Sequence, residues 1–194
     1  MKRFFFDFVI PLVFISQVRA QTIKYFPHNS RDKSGLDSFT NSWYSEQLTA
    51  MKEPVIFTDK TKNEVYRFTW LRTFHHPVAI RIEKHNDSYV LYWKMCDGAG
   101  GYKPGKLIVD RQKTVTRVTW EEFTSKLRTI GFWQMSTSVK VLGNDGAEWI
   151  LEGKLVNDYH VVTRWTPNAS SDYYKCCDYL IGLTDLKIIE KDKY

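Results

Sequence analysis

Cysteine is scarce in this chain. Cys96, Cys176 and Cys177 are the only three, and no two are spaced as CxxC, which removes the commonest framework for a structural zinc site. Other chemical signatures are missing too. There is no HExxH, no GxSxG, no serine–histidine pattern and no nucleotide-binding fingerprint. The glycine-rich stretch DGAGGYKPG, Asp97 to Gly105, has no GK[ST] after it. A strand-like segment follows instead of a helix whose N-terminus would cradle a phosphate. The net charge is +6, but Phe, Val and Glu interrupt almost every basic run. The one dense patch, Lys187 to Lys193, is broken by acids. Nucleic-acid binding needs a concentrated basic stripe, so nucleic acid is not an expected partner. No cofactor and no metal site are expected. The chain shows no internal repeat, no low-complexity tract and no linker that would divide it.

Long hydrophobic runs are confined to the first twenty residues. Lys2 and Arg3 form a short positive region, Phe4 to Ile15 is apolar, and Val18-Arg19-Ala20 ends in a small residue. This predicts a signal peptide over 1–20, with cleavage before Gln21. Removing it takes away Lys2, Arg3, Arg19 and Asp7, which lowers 28 basic residues to 25 and 22 acidic residues to 21, a net +4. The protein is therefore expected to be exported, periplasmic or secreted, and not an integral membrane protein after cleavage. Residues 21–35 are polar and aperiodic, which predicts a loosely held arm. Residues 36–190 are expected to form one domain.

Aromatic residues are what the chain has in abundance: seven Trp, eleven Tyr and twelve Phe. Such rings suit sheets and supply large areas for burial. Leu36, Phe39, Trp43, Leu48 and Met51 lie near helical spacing ahead of Pro54, predicting an amphipathic helix. Val55 to Phe57 is a short strand candidate. Period-two alternation then marks strands from Tyr66, from Val78 and from Tyr89, linked by His75-His76-Pro77 and Asn86-Asp87. Tyr66, Phe68, Trp70 and Phe74 share one face, on which Arg72 is the odd member. Lys106 to Val118 reads as one or two further strands. Thr119 to Glu122 reads as a capping box for a helix carrying Trp120, Phe123, Leu127 and Ile130 and ended by Gly131. Ser170 or Ser171 would cap a last helix with Tyr173, Cys176, Cys177, Leu180 and Ile181 inside. Leu183 to Ile189 is a candidate closing strand, and 190–194 a frayed end. Together these predict an α+β fold: one antiparallel sheet of about five to seven strands, packed by two or three helices on one side.

The stretch from Gly143 to Pro167 reads as a hairpin with an apolar and a polar face. Trp149, Leu151 and Leu155 answer to Tyr159, Val161, Thr163 and Trp165. If like faces match, paired positions sum to 314 around a three-residue turn, Val156 to Asp158. Glu152 would then lie near His160 and Arg164. His160 as base, Glu152 as orienter, and Arg164 or Arg72 as anion stabiliser form the candidate catalytic set. A buried Arg72 would need a partner, Glu152 or Asp145. His75, His76, Asp97 and Tyr102 are the candidate binding residues. In an oxidising compartment one disulfide, Cys96 to Cys176 or Cys177, is plausible. It would close a loop of roughly 80 residues, worth ~4–5 kcal/mol in the chain-entropy model.

The FHHP block, the glycine loop and the DGAEWILEG…YHVVTRWTP hairpin, spanning roughly 66–183, are similar to those of uncharacterised exported bacterial proteins. The resemblance implies a bacterial cell-envelope setting and says nothing of activity. The resulting expectation is a non-catalytic binding or interaction domain of the cell envelope, whose partner is a protein, a peptide or an envelope ligand. The alternative is an envelope hydrolase using His160 and Glu152 with Arg164 or Arg72. Exposed aromatic residues around the glycine loop would favour the first.

Overall fold

The structure is a computed structural model that describes residues 23–27, 36–141, 143 and 145–194. The expected signal peptide, 1–20, lies outside the described residues, as does most of 21–35. Six strands form one antiparallel sheet: β1 Glu64–Arg72, β2 Val78–His85, β3 Ser88–Cys96, β4 Leu107–Val115, β5 Ala147–Lys154 and β6 Tyr159–Trp165. Their spatial order is β4-β3-β2-β1-β5-β6. Three helices complete the α+β fold: α1 Leu36–Ala50, α2 Arg117–Thr129 and α3 Asp172–Gly182. Among the described residues no helix is long and apolar enough to cross a membrane.

The helices do not lie on one side, as the strand pattern had suggested. Tyr66, Phe68, Trp70, Ile80, Trp93, Trp149 and Leu151 pack with α2 and α3 in one core. Leu71, Ala79, Cys96, Ile150 and Val161, of opposite parity, pack with Tyr44, Leu48 and Met51 of α1 and its exit in a second. The central strands are thus covered on both faces, and every β1 residue after Glu64 is buried. The polar arm expected over 21–35 also departs from its reading. Tyr25 and Phe26 are buried, the Tyr25 amide donates to Ser45 Oγ at 3.0 Å, and Asn41 Nδ2 donates to the Phe26 carbonyl at 2.9 Å.

Burial on both faces also decides the hairpin register. Glu152 pairs with Val161 and Lys154 with Tyr159, a sum of 313 and not 314. Leu155 N donates to Asp158 O at 2.8 Å, so the turn is the two-residue Val156-Asn157. The parity rule presumes one polar face, but here Val162 joins the α3 core while Val161 joins the α1 core. Each face therefore mixes odd residues of one strand with even residues of the other.

Several local expectations shift. The α2 cap is Thr116, whose side chain accepts from Thr119 N, one turn before the expected box; Ser171 caps α3. Val55 to Phe57 and Leu183 to Ile189 are not strands. In the α1 stripe, Phe39 is 70 % exposed, because the buried face runs through Asn41, Tyr44, Ser45 and Leu48. The outer strand β4 guards its edge with the exposed charges Asp110, Arg111 and Lys113.

All three cysteines are free thiols. Cys96 belongs to the α1 core, whereas Cys176 and Cys177 belong to the α3 core. The sheet separates them, which overturns the expected disulfide. Burial pushes the Cys176 thiol up to about 12, so these thiols behave as small apolar core groups.

Candidate functional site

One end of the sheet gathers the β1–β2 link, the glycine loop, the side of α1 and the C-terminal segment. The glycine loop is held by a ladder of its own. Asp97 N donates to Lys106 O at 2.9 Å, Gly98 N to Pro104 O at 2.8 Å and Ala99 N to Lys103 O at 3.0 Å. The Asp97 carboxylate accepts from Lys106 N at 2.6 Å, so this residue closes the loop. The loop then docks sideways. Gly100 N donates to His75 O at 2.9 Å, Gly101 N to Arg72 O at 3.2 Å, and His76 Nδ1 sits 2.9 Å from Gly98 O. From α1, Trp43 Nε1 donates to Gly100 O at 2.9 Å and Gln47 Nε2 to Tyr102 O at 2.8 Å.

This docking leaves aromatic rings outside. Phe74 and Tyr102 are 58 % and 61 % exposed, with ring centroids 6.2 Å apart. Phe39 stands on the α1 side of a groove of about 430 Å³ lined by Phe39, Ser42, Trp43, Glu46 and Gly101. Phe39 and Trp43 are i,i+4 on the helix and so share a face that borders the groove; Phe39 is exposed there, while the half-buried Trp43 also packs against the α1 core. Sequence reasoning placed both in the apolar stripe, and Phe39 departs from it. The signal available was the competing Asn41–Tyr44–Leu48 row, which its asparagine obscures.

On the other side of the same link, Arg72, His75, His76, Lys187 and Asp192 help line a cleft of about 210 Å³. Arg72 is 4 % exposed and lies over the Trp70 ring at 4.2 Å. It donates to the carbonyls of His76 at 3.0 Å and Asp192 at 3.4 Å. Its Nε has no hydrogen-bond partner. Neither expected carboxylate, Glu152 or Asp145, reaches it. Burial pulls its pKa down, against the nearby Tyr194 and Asp192. Arg72, His75, His76, Asp97 and Tyr102 are thus brought to one end of the fold.

The candidate catalytic set is divided. Glu152 lies on the α1 face, where Arg67 Nε and Nη2 donate to its two oxygens at 2.7 and 2.9 Å and the Tyr159 hydroxyl donates at 2.8 Å. His160 points to the opposite face, against the rings of Phe132 and Trp133, with centroid distances of 5.2 and 6.3 Å. Its Nε2 sits 3.0 Å from Met135 O. Arg164 is four residues along β6, ~13 Å away at strand rise, bonded to the Ser136 carbonyl at 3.1 Å. Arg72 lies at the cleft described above. No nucleophile–base–orienter contact joins these residues.

Burial lowers the His160 pKa from its ordinary value of 6.5, Met135 O opposes this, and Arg164 adds to it. The unfolded chain therefore takes up this proton more readily than the folded one. The stability tied to neutral His160 is complete above about pH 6.5 and is lost as pH falls through the depressed folded value. Urea midpoints measured from pH 7.5 to 5 should fall for the native chain and flatten for His160→Gln. Parallel curves would show that His160 does not set the slope.

Sequence reasoning missed a buried charge network on the α1 face. Arg67, Glu53, Arg81, Glu83, Lys94 and Glu152 are all under 10 % exposed. Arg81 Nε donates to Glu53 Oε2 at 2.9 Å, Arg81 also pairs with Glu83, and Lys94 Nζ lies 3.5 Å from Glu53 Oε1. Arg67 Nη1 donates to Pro54 O at 2.7 Å. Burial opposes the charge on Arg67, but Glu152 and Glu53 outweigh it and raise its pKa. Three cations meet three carboxylates, and the spare donors of Arg67 and Lys94 reach the carbonyls of Pro54 and Lys52. The network anchors the 52–54 segment beneath the sheet and opens to no cleft described above. Among the described residues no group of three His, Cys, Asp or Glu could hold a metal ion. No model of a known protein family matches this chain, and comparison with characterised protein sequences finds no match.

Proposed function

We propose that this is an exported bacterial protein of the cell envelope that works by binding, and that it grips a protein or peptide segment at the glycine-loop end of its sheet. The observation that carries this is the set of exposed rings Phe39, Phe74 and Tyr102 around a loop held in place by its own ladder and by the half-buried Trp43. Large aromatic side chains with few rotors suit contact surfaces, because they bury much area at little conformational cost. A rigid platform adds to this by lowering the ordering cost of association. Export is supported by the Lys2-Arg3 start and the Phe4 to Ile15 apolar run, and the envelope setting by the resemblance of the 66–183 region.

The test is selection from a displayed random-peptide library on the immobilised full chain, followed by affinity measurement with synthetic copies of the winners. Peptides chosen by the native chain should bind Phe39→Ser/Phe74→Ser/Tyr102→Ser weaker by about tenfold or more, since buried aromatic anchors are typical hot spots. Ile108→Ser should bind them as the native chain does; Ile108 is 52 % exposed on β4, outside the groove lining. Winners that bind all three proteins equally would remove the rim from the reading.

A further inference from the structure

The end of the sheet opposite the glycine loop holds another cleft, of about 370 Å³, where the last turn of α2 meets the start of β1. Glu64 begins β1 and Arg72 ends it, ~26 Å apart at strand rise, so this cleft shares no residue with the aromatic rim. Tyr66, Leu127 and Phe132 line it and are buried. Trp133 stands beside them. Gly131, at φ 61°, takes the left-handed conformation that glycine adopts without strain. It turns the chain out of α2 into the short 3-10 turn Phe132–Gln134. Three rings then hold the Trp133 indole, with centroids at 5.2 Å for Phe132, 6.3 Å for Tyr66 and 6.3 Å for His160. Trp133 is half-buried, so the cleft has one flat apolar wall, oriented before any ligand arrives.

Polar groups surround that wall. The Tyr66 hydroxyl donates to Glu64 Oε1 at 2.7 Å, which steadies the carboxylate. Arg128 enters from α2 and Gln134 from the 3-10 turn, and both are exposed. Among the described residues no ion pair joins Glu64 to Arg128, although both line the same cleft. A carboxylate, a guanidinium and a primary amide are each planar and each bond two neighbouring groups at once. That capacity suits adjacent ring hydroxyls, and the indole face suits the C–H face of the same ring. A zwitterion fits less well. Arg128 is exposed and Glu64 only half-buried, and ion pairs open to water contribute only ~0–1 kcal/mol. The volume is near the lower end of the ~300–1,000 Å³ typical of small-molecule sites. We propose that this cleft is a binding site for a neutral pyranose saccharide, stacked on Trp133 and held by Glu64, Arg128 and Gln134.

The experiment follows the Trp133 indole N–H resonance of the full-length protein, assigned with Trp133→Phe, during titration. The probes are the methyl glycosides of glucose, galactose, mannose and N-acetylglucosamine. Sorbitol carries the hydroxyls without the ring face, and free lysine carries charges of both signs without the hydroxyls. At least one glycoside should shift the Trp133 resonance saturably, with a Kd of about 1 mM, a weak single-site affinity. The Trp70 resonance, from the buried core, should stay still. Sorbitol and lysine should move neither. Arg128→Ala and Gln134→Ala should each weaken the bound glycoside about fivefold, the loss expected for one or two hydrogen bonds. Both side chains are exposed, so unchanged urea midpoints show an intact fold. Glu64→Ala should weaken binding at least as much. A Trp133 resonance that no glycoside moves, an equal shift from sorbitol or lysine, or Arg128→Ala and Gln134→Ala binding as the native chain does, would overturn the proposal.

Discussion

Glu152→Ala should destabilise the protein by about 3–5 kcal/mol, the usual result of stranding a buried charge. Arg67 and Glu152 are both completely buried, and the guanidinium grips the carboxylate through two bonds. Burial pushes the Glu152 carboxyl up, while Arg67 and the Tyr159 hydroxyl hold it down; bonds of 2.7 and 2.9 Å mark a charged pair. Removing the carboxylate leaves the guanidinium with the Pro54 carbonyl and the more distant Glu53, at 3.6 Å, and takes away the acceptor of the Tyr159 hydroxyl. The desolvation already suffered by Arg67 is then uncompensated. Replacing the group as a whole behaves differently. Arg67→Met/Glu152→Leu/Tyr159→Phe should regain most of the loss, because apolar residues of similar volume often match a buried pair. Urea unfolding of the single and combined variants provides the cycle. A loss below about 1 kcal/mol for Glu152→Ala would match a solvated pair and contradict the enclosed network.

Gly98→Ala should destabilise by about 1–3 kcal/mol, as overpacking does, and should loosen the candidate site. A Cβ at position 98 would stand closer than 3.0 Å to Lys103 O and to Pro104 C. Both are backbone atoms of the opposite arm of the loop, so no side chain can move aside. The arms must part, and with them go the amides of Gly100 and Gly101 that tie the loop to His75 and Arg72. Hydrogen exchange at those two amides should accelerate along with the fall in the urea midpoint. Gly182→Ala is the control. Nothing lies within 4 Å of a Cβ there, at the end of α3, and alanine in a helix is favoured over glycine by roughly 0.5–1 kcal/mol. Unchanged protection in Gly98→Ala would mean that the loop is not clamped.

The candidate site was legible in pieces. His75, His76, Asp97 and Tyr102 stood out as a histidine pair before a proline and as members of a glycine loop, and they meet at one end of the sheet because β1 and β3 finish there. Arg72 stood out as a charge among aromatic positions, and it is buried as that pattern required. Its partners were not legible, since carbonyls of His76 and Asp192 carry no sequence signature. Phe39 was read as core because apolar spacing alone does not say which of two adjacent helical faces meets the sheet.

Local spacing determined most of the elements: the strands from Tyr66, Val78 and Tyr89, the α2 and α3 stripes, an α3 cap at Ser170 or Ser171, and the α+β class. These follow from neighbours a few residues apart, where periodicity and capping act. Tertiary structure alone decided that α1 covers the second face of the sheet. That one placement buried both faces, moved the β5–β6 register by one, parted His160 from Glu152 and Cys96 from Cys176, and enclosed the Arg67 network. Each of these depends on which surfaces meet across long stretches of chain, and a burial pattern of period two cannot report that once both sides of a strand are dry.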